Sequence, residues 1–473
     1  MRSLQRVQLW IQRLAMFQPT RSTIAVIGTT GVGKSQLGIE LSKALHGEVI
    51  NADSMQVYKG LDIITNKVTE SERENVPHHL MDFLEPEDEY LVTQFVKDAS
   101  DKIEEISERK SLPVLVGGTN YYVQSLLWPM SLISTATDGS SSSDEQEEED
   151  GISSMDTQAL YKELQKVDPI MAAKWHPSDR RKIAKSLKVY RDMGRPQSEI
   201  IKEQQQRAKT DVNLRYNTII FWLYTDPVTL NRRLDDRVMK MIELGLFDEL
   251  SSLRKRVQEG TLDMPGKDLE KYQRGIWQAI GYKEFDEYLT AVENGNLEDN
   301  ELQALKKESI ERMKAATRRY AKRQVQWIRN KLLPTIWNTQ DTLANIKSSI
   351  LSITPSQSVQ LYLLDATDLS RWDENVKNTA VRIAQDFVND RNMPDPTTLN
   401  EFSSELLTRG GDADPRQKLL SWKKHTCEVC TNQSANPVVL NGDLEWKQHM
   451  SSRLHRRNTK REKMMKKKVD HPE

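Results

Sequence analysis

A glycine-rich loop near the start of the chain constrains the fold more than any other feature. Residues 28–35 follow the apolar run 24–27 and precede a helical pattern of leucines. In such a loop, backbone N–H groups and the helix N-terminus hold a phosphate, the lysine adds a point charge, and the serine holds Mg²⁺. The predicted anion-binding residues of this phosphate loop are Gly28, Thr29, Thr30, Gly31, Val32, Gly33, Lys34 and Ser35. The alternative, a plain glycine-rich turn, does not explain the flanking strand and helix.

Short apolar runs alternate with amphipathic helices over residues 24–127, which predicts a parallel sheet with helical crossovers. We expect strands at 24–27, 48–51, 113–116 and 218–224. Ligands of such sheets bind outside the carboxyl ends of the strands. The phosphate loop, Asp53 and Thr119 each follow a strand end, so we expect them to converge on one crevice.

Changes in composition divide the chain into eight segments. They are a mitochondrial presequence (1–21), the first part of a P-loop catalytic core (22–135), a disordered acidic insert (136–155), a helical insertion (156–208), the second part of the core (209–345), a poorly patterned linker (346–420), a zinc finger (421–458) and a basic tail (459–473). The expected fold class is therefore α/β, with a helical insertion domain, a helical C-terminal part and a small finger.

The N-terminus is basic and has no acidic residue before Glu40. Arginines at helical intervals with apolar residues between them are typical of a mitochondrial presequence, and the alternative is a short basic extension of the core. Met16 offers a second start within this stretch. We therefore expect a mitochondrial form and a cytoplasmic form.

Overall charge does not indicate a partner, because 68 Lys and Arg residues face 69 Asp and Glu residues. Positive charge is nevertheless concentrated locally, in residues 179–185 and in a predicted helix over 301–332. Such stripes are often only solvated, but two of them favour a polyanion as partner. No apolar run approaches the roughly 20 residues that span a bilayer, so we expect no membrane partner.

Both cysteines of the chain lie in one metal-binding pattern. Two residues separate Cys427 from Cys430, eighteen residues separate Cys430 from His449, and five residues separate His449 from His455. Two thiolates and two imidazoles suit tetrahedral Zn²⁺. The gap before the first histidine exceeds the ~12 residues of the common DNA-reading finger. The basic tail that follows fits a nucleic-acid backbone, or a nuclear address.

Several further motifs occur in a fixed order with the phosphate loop. They span 53–58, 77–82, 117–122, 181–190, 237–246, 279–282 and 321–324. Together they resemble the tRNA dimethylallyltransferases, over about residues 24–332. The finger is similar to the matrin-like type of the eukaryotic branch. Thr29 departs from the proline that is usual in bacterial members.

The resemblance implies transfer of a dimethylallyl group from dimethylallyl diphosphate to the exocyclic amine of adenosine 37, beside the anticodon of tRNA. Asp53 would accept the proton of that amine, while Thr119, Arg237 and the phosphate loop with Mg²⁺ at Ser35 would stabilise the departing diphosphate. The adenosine would be flipped out of its stack. The residues implied to bind the tRNA anticodon arm are Asp53, Ser54, Met55, Gln56, Arg181, Lys182, Ile183, Ala184, Lys185, Arg319, Lys322, Arg323 and Gln324. We expect a monomer.

Each catalytic assignment has a structural alternative. Asp53 would cap a helix, Thr119 would cap the helix that begins at residue 120, and Arg237 would pair with Asp235 or Asp236. Two other functions also remain open from the residues. One is a P-loop nucleotide kinase or NTPase with an RNA-binding tail, and the other is a non-catalytic RNA-binding protein that retains the core.

Overall fold

The computed structural model describes residues 21–129, 155–210, 214–264, 272, 274–295, 297–349, 358–409, 424–431 and 438–470. The chain divides into two units, one formed by Met1–Leu132 with Ala208–Arg409 and the other by Ile133–Arg207 with Gly410–Glu473. The predicted presequence lies outside the described residues except at Arg21. The predicted acidic insert lies outside them except at Met155.

A six-stranded parallel sheet forms the centre of the first unit. Its strands are β1 (Ser22–Gly28), β2 (Gly47–Asn51), β3 (His78–His79), β4 (Leu112–Val116), β5 (Asn217–Tyr224) and β6 (Val359–Asp365). They lie in the order β3-β2-β4-β1-β5-β6, and every neighbouring pair is parallel. In the second unit, β7 (Lys424–Thr426) and β8 (Val439–Asn441) form an antiparallel pair.

The helices follow the strands as crossovers or form separate layers. In chain order they are α1 (Lys34–Leu45), α2 (Asp62–Thr65), α3 (Glu70–Arg73), α4 (Val92–Glu108), α5 (Asn120–Leu127), α6 (Thr157–Val167), α7 (Pro169–Lys174), α8 (Arg180–Met193), α9 (Gln197–Thr210), α10 (Pro227–Glu243), α11 (Leu246–Gln258), α12 (Tyr282–Asn294), α13 (Asp299–Trp327), α14 (Leu333–Ser349), α15 (Thr379–Val388), α16 (Glu401–Leu407), α17 (Glu428–Thr431), α18 (Gly442–Ser451) and α19 (Arg453–Asp470). A π-helical segment, Ile328–Leu332, joins α13 to α14. None of the described helices is both long and apolar enough to cross a bilayer.

Both faces of the sheet are buried, which explains why its strands are almost continuously apolar. Ala25 and Ile27 point into a core that α4, α5 and α14 cover, whereas Ile24 and Val26 point into a core that α1 and α15 cover. Alternate residues of β1 therefore serve opposite layers. This burial fixes the strand register and brings the loops after β1, β2 and β4 to the same edge of the sheet.

The predicted linker over 346–420 is wrong for the residues that the structure describes there. Strand β6 pairs with β5 along seven residues, from Thr218↔Val359 to Tyr224↔Asp365. Its side chains Leu361, Leu363 and Leu364 are at most 4% exposed, α16 packs beside it, and α15 packs against β5. Residues 358–409 thus complete the central sheet and its layers, because β5 would otherwise leave an unpaired apolar edge.

The second unit contains the helical insertion and the finger. Helices α6 to α8 bury one apolar cluster, which includes Leu160, Leu164, Ile183 and Leu187. Aspartate side chains at Asp156, Asp168 and Asp179 accept hydrogen bonds from backbone N–H groups of the first turns of α6, α7 and α8. These caps explain why three short helices begin where they do.

Candidate active site and metal centre

The phosphate loop turns tightly between β1 and α1. Gly28 has a φ of 147°, and a Cβ there would lie 2.5 Å from the carbonyl oxygen of Leu223 on β5. Gly33 has a φ of 91° and caps α1, where a Cβ would lie 2.7 Å from the ring of Trp372. Only glycine fits these two positions without strain. The first-turn N–H groups of α1 therefore face the space enclosed by the loop.

Lys34, Asp53 and Arg237 form a charged group beside this loop. The Lys34 ammonium donates to the Thr29 carbonyl at 2.7 Å, and Arg237 Nη1 donates to the Thr30 hydroxyl at 2.9 Å. A Cβ placed on Gly118 would lie 3.7 Å from Lys34 Nζ and 3.5 Å from Asp53 Oδ2. The loops that follow β1, β2 and β4 therefore meet at one point, as the sequence predicts.

The pKa values of the two cations reflect their enclosure. Burial lowers the pKa of Lys34 to about 8; Asp53 acts in the opposite direction, and Arg237 lowers this pKa further. Burial also lowers the pKa of Arg237, again opposed by Asp53. Two enclosed cations with one nearby carboxylate leave an excess of positive charge, which favours an anionic ligand.

Asp53 is held by its neighbours rather than by a helix. Its Oδ1 accepts from the Met55 N–H at 3.0 Å in a turn. The buried Asn51 side chain accepts from the Asp53 N–H at 3.1 Å and donates to the Asp53 carbonyl at 3.1 Å. The helix-cap alternative is therefore wrong for Asp53. Asn51, which the sequence analysis did not select, fixes the backbone that carries this carboxylate.

Thr119 does not cap a helix, and Arg237 does not form its predicted alternative ion pair with Asp235. Thr119 precedes α5, but its side chain makes no capping hydrogen bond. Instead its Oγ1 accepts from the Ser54 N–H at 3.0 Å and lies 3.2 Å from the Ser54 hydroxyl. The Asp235 side chain pairs with Arg318, while Arg237 bonds to Thr30. Both predicted catalytic side chains thus point toward the loops of the site.

A cavity of about 750 Å³ contains the charged group, and its polar side adjoins an apolar wall. Ser54, Met55 and Gln56 line it, as the sequence predicts. Its lining also includes Ile64, Val238, Met241, Met313, Tyr320 and Arg323. Burial raises the pKa of Tyr320, and the negative charge of Asp53 raises it further. The cavity therefore combines an anion-binding end with apolar surface, which suits a ligand that has both characters.

Gln324 does not have the exposed position that tRNA binding requires. Its side chain is 4% exposed, accepts from the Thr30 N–H at 2.9 Å, and donates to the Gly118 carbonyl at 2.9 Å. By contrast Arg319, Lys322 and Arg323 are exposed on α13, and we call these three the basic face of α13. The prediction for Gln324 is corrected because its amide satisfies two buried backbone groups.

The basic segment of α8 divides in the same way. Arg181, Lys182 and Lys185 are exposed, and Lys182 pairs with Asp179 at 2.6 Å. Ile183 is fully buried and Ala184 packs against the same apolar cluster. The helical period places these two side chains on the inner face, so their predicted contact with tRNA is wrong.

Trp372 contributes to the site from residues 358–409, within the predicted linker. Its ring packs against Gly33, and its Nε1 donates to the Glu40 carboxylate at 3.0 and 3.1 Å. Arg233 of α10 holds the preceding loop by donating to the carbonyls of Ala366 and Thr367. Trp372 thereby supports the start of α1 from outside the cavity.

The finger brings together the four predicted metal ligands. One ligand atom from each of Cys427, Cys430, His449 and His455 lies within 4.8 Å of the others. His455 Nδ1 is 3.4 Å from Cys427 Sγ and 3.6 Å from Cys430 Sγ, and His449 Nε2 is buried without a hydrogen-bond partner among the described residues. Two thiols and two imidazoles at these separations fit a tetrahedral zinc site.

Fold and site together define a P-loop α/β protein built to handle a phosphorylated ligand. The chain belongs to the IPP transferase family, whose model matches residues 56–331. It is similar to the tRNA dimethylallyltransferase of Saccharomyces cerevisiae, with 38% identity over 444 residues, 93% of each chain. The human tRNA dimethylallyltransferase is 35% identical over 95% of this chain and 88% of its own length.

A solved structure supports the same conclusion. It shows a eukaryotic dimethylallyltransferase acting on tRNA, with a TM-score of 0.74 and 36% identity, and the match covers 95% of this chain and 99% of that one. The family resemblance and the fold class predicted from the sequence are therefore confirmed.

Proposed function

We propose that this chain is a tRNA dimethylallyltransferase. It transfers the dimethylallyl group from dimethylallyl diphosphate to the exocyclic amine of adenosine 37 in tRNA, and releases diphosphate. The observation that carries this proposal is that the Asp53 carboxylate and the Lys34 ammonium lie beside the same residue, Gly118. A Cβ placed on Gly118 would lie 3.5 Å from Asp53 Oδ2 and 3.7 Å from Lys34 Nζ. A proton acceptor thus lies next to a positively charged, anion-binding site in a cavity that also has apolar walls.

The cationic end of the cavity stabilises the leaving group. As the bond between the dimethylallyl carbon and oxygen breaks, negative charge grows on the diphosphate. Lys34, Arg237 and the N–H groups of the phosphate loop are aimed at that charge, and fixed donors need no reorganisation during the reaction. Ser35 lines the same cavity, and its hydroxyl oxygen suits Mg²⁺, which would neutralise further charge on the diphosphate.

Asp53 completes the transfer. The amine nitrogen of the adenosine forms the new bond to the dimethylallyl carbon, and it must lose one proton. The Asp53 carboxylate accepts this proton, which leaves a neutral product amine. The adenosine must leave its base stack to reach the cavity, at a cost of a few kcal/mol. Ser54, Met55 and Gln56 form the wall against which the base would lie.

Two groups of exposed cations would hold the anticodon arm. They are the basic face of α13 in the first unit, and Arg181, Lys182 and Lys185 of α8 in the second. Cations of this kind position an RNA through its phosphates without reading its sequence. We accordingly propose tRNA as the polyanion, and a monomer as the active species.

Parallel incubations test the proposed function against its main rival. The purified chain is mixed with tRNA and either labelled dimethylallyl diphosphate or ATP labelled in the γ-phosphate. We expect label from the prenyl donor in tRNA and no transfer of phosphate. Phosphate transfer without prenyl transfer would identify a nucleotide kinase, and tRNA binding without either would identify a non-catalytic RNA-binding protein.

The pKa of Lys34 predicts how the reaction depends on pH. The ammonium is charged below pH 8 and neutral above it, since burial lowers its pKa to about 8. The free enzyme therefore loses a cation of the diphosphate site as the pH rises. We expect kcat/KM for dimethylallyl diphosphate to fall about tenfold per pH unit above this pKa. A profile that stays flat up to pH 9.5 would contradict the role of Lys34.

We also propose that the finger holds Zn²⁺ and contributes to tRNA binding. Cys427→Ser removes one of four ligands, so zinc content should fall. The tRNA Kd should rise by about tenfold or more, ~1.4 kcal/mol or more, while the KM for the donor stays unchanged. Metal analysis and RNA titration measure the two effects. A variant that loses zinc but binds tRNA as before would show that the finger is structural only.

For localisation we propose a mitochondrial pool made from the first methionine and a cytoplasmic pool made from Met16. The basic tail would serve as a nuclear address for the cytoplasmic form. The basis is the run of arginines before Glu40 and the cations after His455. A C-terminal tag on the chain with Met16 replaced by leucine should be found in mitochondria. Absence of an organellar pool from this form would refute the presequence.

A further inference from the structure

Gln324 joins two parts of the site that are far apart in the chain. Its Oε1 accepts from the Thr30 N–H in the phosphate loop, 294 residues away. Its Nε2 donates to the carbonyl of Gly118, in the loop after β4. Both bonds are 2.9 Å long, and the side chain is 4% exposed. One buried amide therefore connects the loops after β1 and β4.

Both partners of this amide belong to the surroundings of the reacting groups. Thr30 also receives a hydrogen bond from Arg237 through its hydroxyl. A Cβ on Gly118 would lie 2.6 Å from Gln324 Nε2, close to Asp53 Oδ2 and Lys34 Nζ. A shift of the Gln324 amide would thus move the backbone that shapes the diphosphate site.

The helix that carries Gln324 also carries the basic face of α13. Arg319 lies five residues earlier, and Lys322 and Arg323 directly precede Gln324. One turn further on, Trp327 Nε1 donates to Gln124 Oε1 of α5 at 3.2 Å, which ties the end of the helix to the core. Since a helix moves as a rigid element, phosphates bound to the basic face would fix the position of the Gln324 amide.

We propose that Gln324 is a positioning residue that couples tRNA binding to diphosphate binding. This inference rests on the proposed function. RNA phosphates on the basic face of α13 fix the helix, and Gln324 in turn holds the phosphate loop in the conformation that accepts diphosphate. The binding of tRNA then supplies the free energy that ordering the phosphate loop requires. Diphosphate therefore binds more tightly to the complex with tRNA than to the free protein.

A glutamine suits this role because its amide has an acceptor and a donor at the end of the same short chain. Methionine has nearly the same length and volume and can replace neither bond. Gln324→Met would therefore leave the Thr30 N–H and the Gly118 carbonyl without their partners while the packing of α13 is kept.

The test measures the Kd of inorganic diphosphate by calorimetry, with and without saturating tRNA. In the wild-type protein we expect saturating tRNA to lower the Kd of diphosphate by about fivefold or more. In Gln324→Met we expect the ratio of the Kd without tRNA to the Kd with tRNA to fall to within about twofold of one, while the Kd of tRNA alone is unchanged. Trp327→Phe is the matched control, because it removes one hydrogen bond of the same helix that does not reach the phosphate loop. It should keep the wild-type ratio.

A second variant keeps the proposal testable if Gln324→Met folds poorly. Gly118→Ala retains Gln324 but places a methyl group against its amide, and it should reduce the ratio as well. A wild-type ratio in Gln324→Met, or an equal loss in Trp327→Phe, would overturn the proposal. If the wild-type protein transfers the prenyl group normally but tRNA does not change its Kd for diphosphate, the coupling alone is overturned. If the wild-type protein transfers no prenyl group, the proposed function itself is overturned.

Discussion

Asp53→Asn should reduce kcat for prenyl transfer by about 10² to 10⁴. The amide has nearly the shape of the carboxylate but cannot accept the proton that the adenosine amine loses. Its Oδ1 can still accept from the Met55 N–H, and Asn51 still holds the backbone on both sides. The turn should therefore persist, and the loss should appear in kcat.

Single-turnover rates and separate binding measurements check this prediction. The tRNA Kd should change by less than about twofold, since Asp53 does not belong to either group of exposed cations. Asp101→Asn is the matched control, because Asp101 is an exposed aspartate on α4 and the change in charge is the same. Turnover by Asp53→Asn at the rate of this control would refute the role of Asp53 as the base.

Lys34→Met should lower kcat/KM for the prenyl donor by about 10² to 10³-fold, a loss of ~2.7–4 kcal/mol of transition-state stabilisation. The substitution keeps the length of the side chain but removes the ammonium that lies beside the anion site. It also removes the hydrogen bond to the Thr29 carbonyl, which orients one side of the loop. Because the donor carries the negative charge, the effect should fall on the donor and leave tRNA affinity unchanged.

Lys43→Met provides a control on the same helix. Lys43 is exposed near the end of α1, where its side chain pairs with Glu74. It has the same charge as Lys34 but lies outside the cavity, so its loss should leave donor kinetics unchanged. Equal effects of the two substitutions would mean that Lys34 acts only through the general charge of the helix.

The meeting of the phosphate loop, Asp53 and Thr119 could be predicted because it follows from local patterns and one geometric rule. Each follows a short apolar run, and the carboxyl ends of parallel strands lie at one edge. The ligand set of the finger was predictable for a similar reason. Cys427, Cys430, His449 and His455 have a spacing that restricts both the metal and the local fold.

The supporting residues could not be predicted because their partners are remote in the chain. Gln324 bonds to Thr30 across 294 residues, and Trp372 bonds to Glu40 across 332. A polar residue in an exposed-looking helix carries no local sign of a buried partner. Asn51 is an intermediate case, because its partner Asp53 is only two residues away but the turn that joins them follows no simple period.

Two errors had a signal in the sequence. The run Val359–Asp365 is apolar enough for a buried strand, but the weakly patterned residues around it concealed its role as β6. Ile183 and Leu187 are four residues apart, which is the spacing of a buried helix face. This spacing leaves only the charged residues on the other face of α8 available to RNA.

The central claim is that an anion site and a proton acceptor share one cavity and act together on a tRNA adenosine. Its most direct test is mass spectrometry of the nucleosides and of the nuclease-derived oligonucleotides of tRNA, after incubation with dimethylallyl diphosphate in the presence and absence of the purified chain. We predict isopentenyladenosine at position 37, formed only with the chain and in equal amount with released diphosphate. Diphosphate release without a prenylated adenosine, or prenylation elsewhere in the tRNA, would contradict the account.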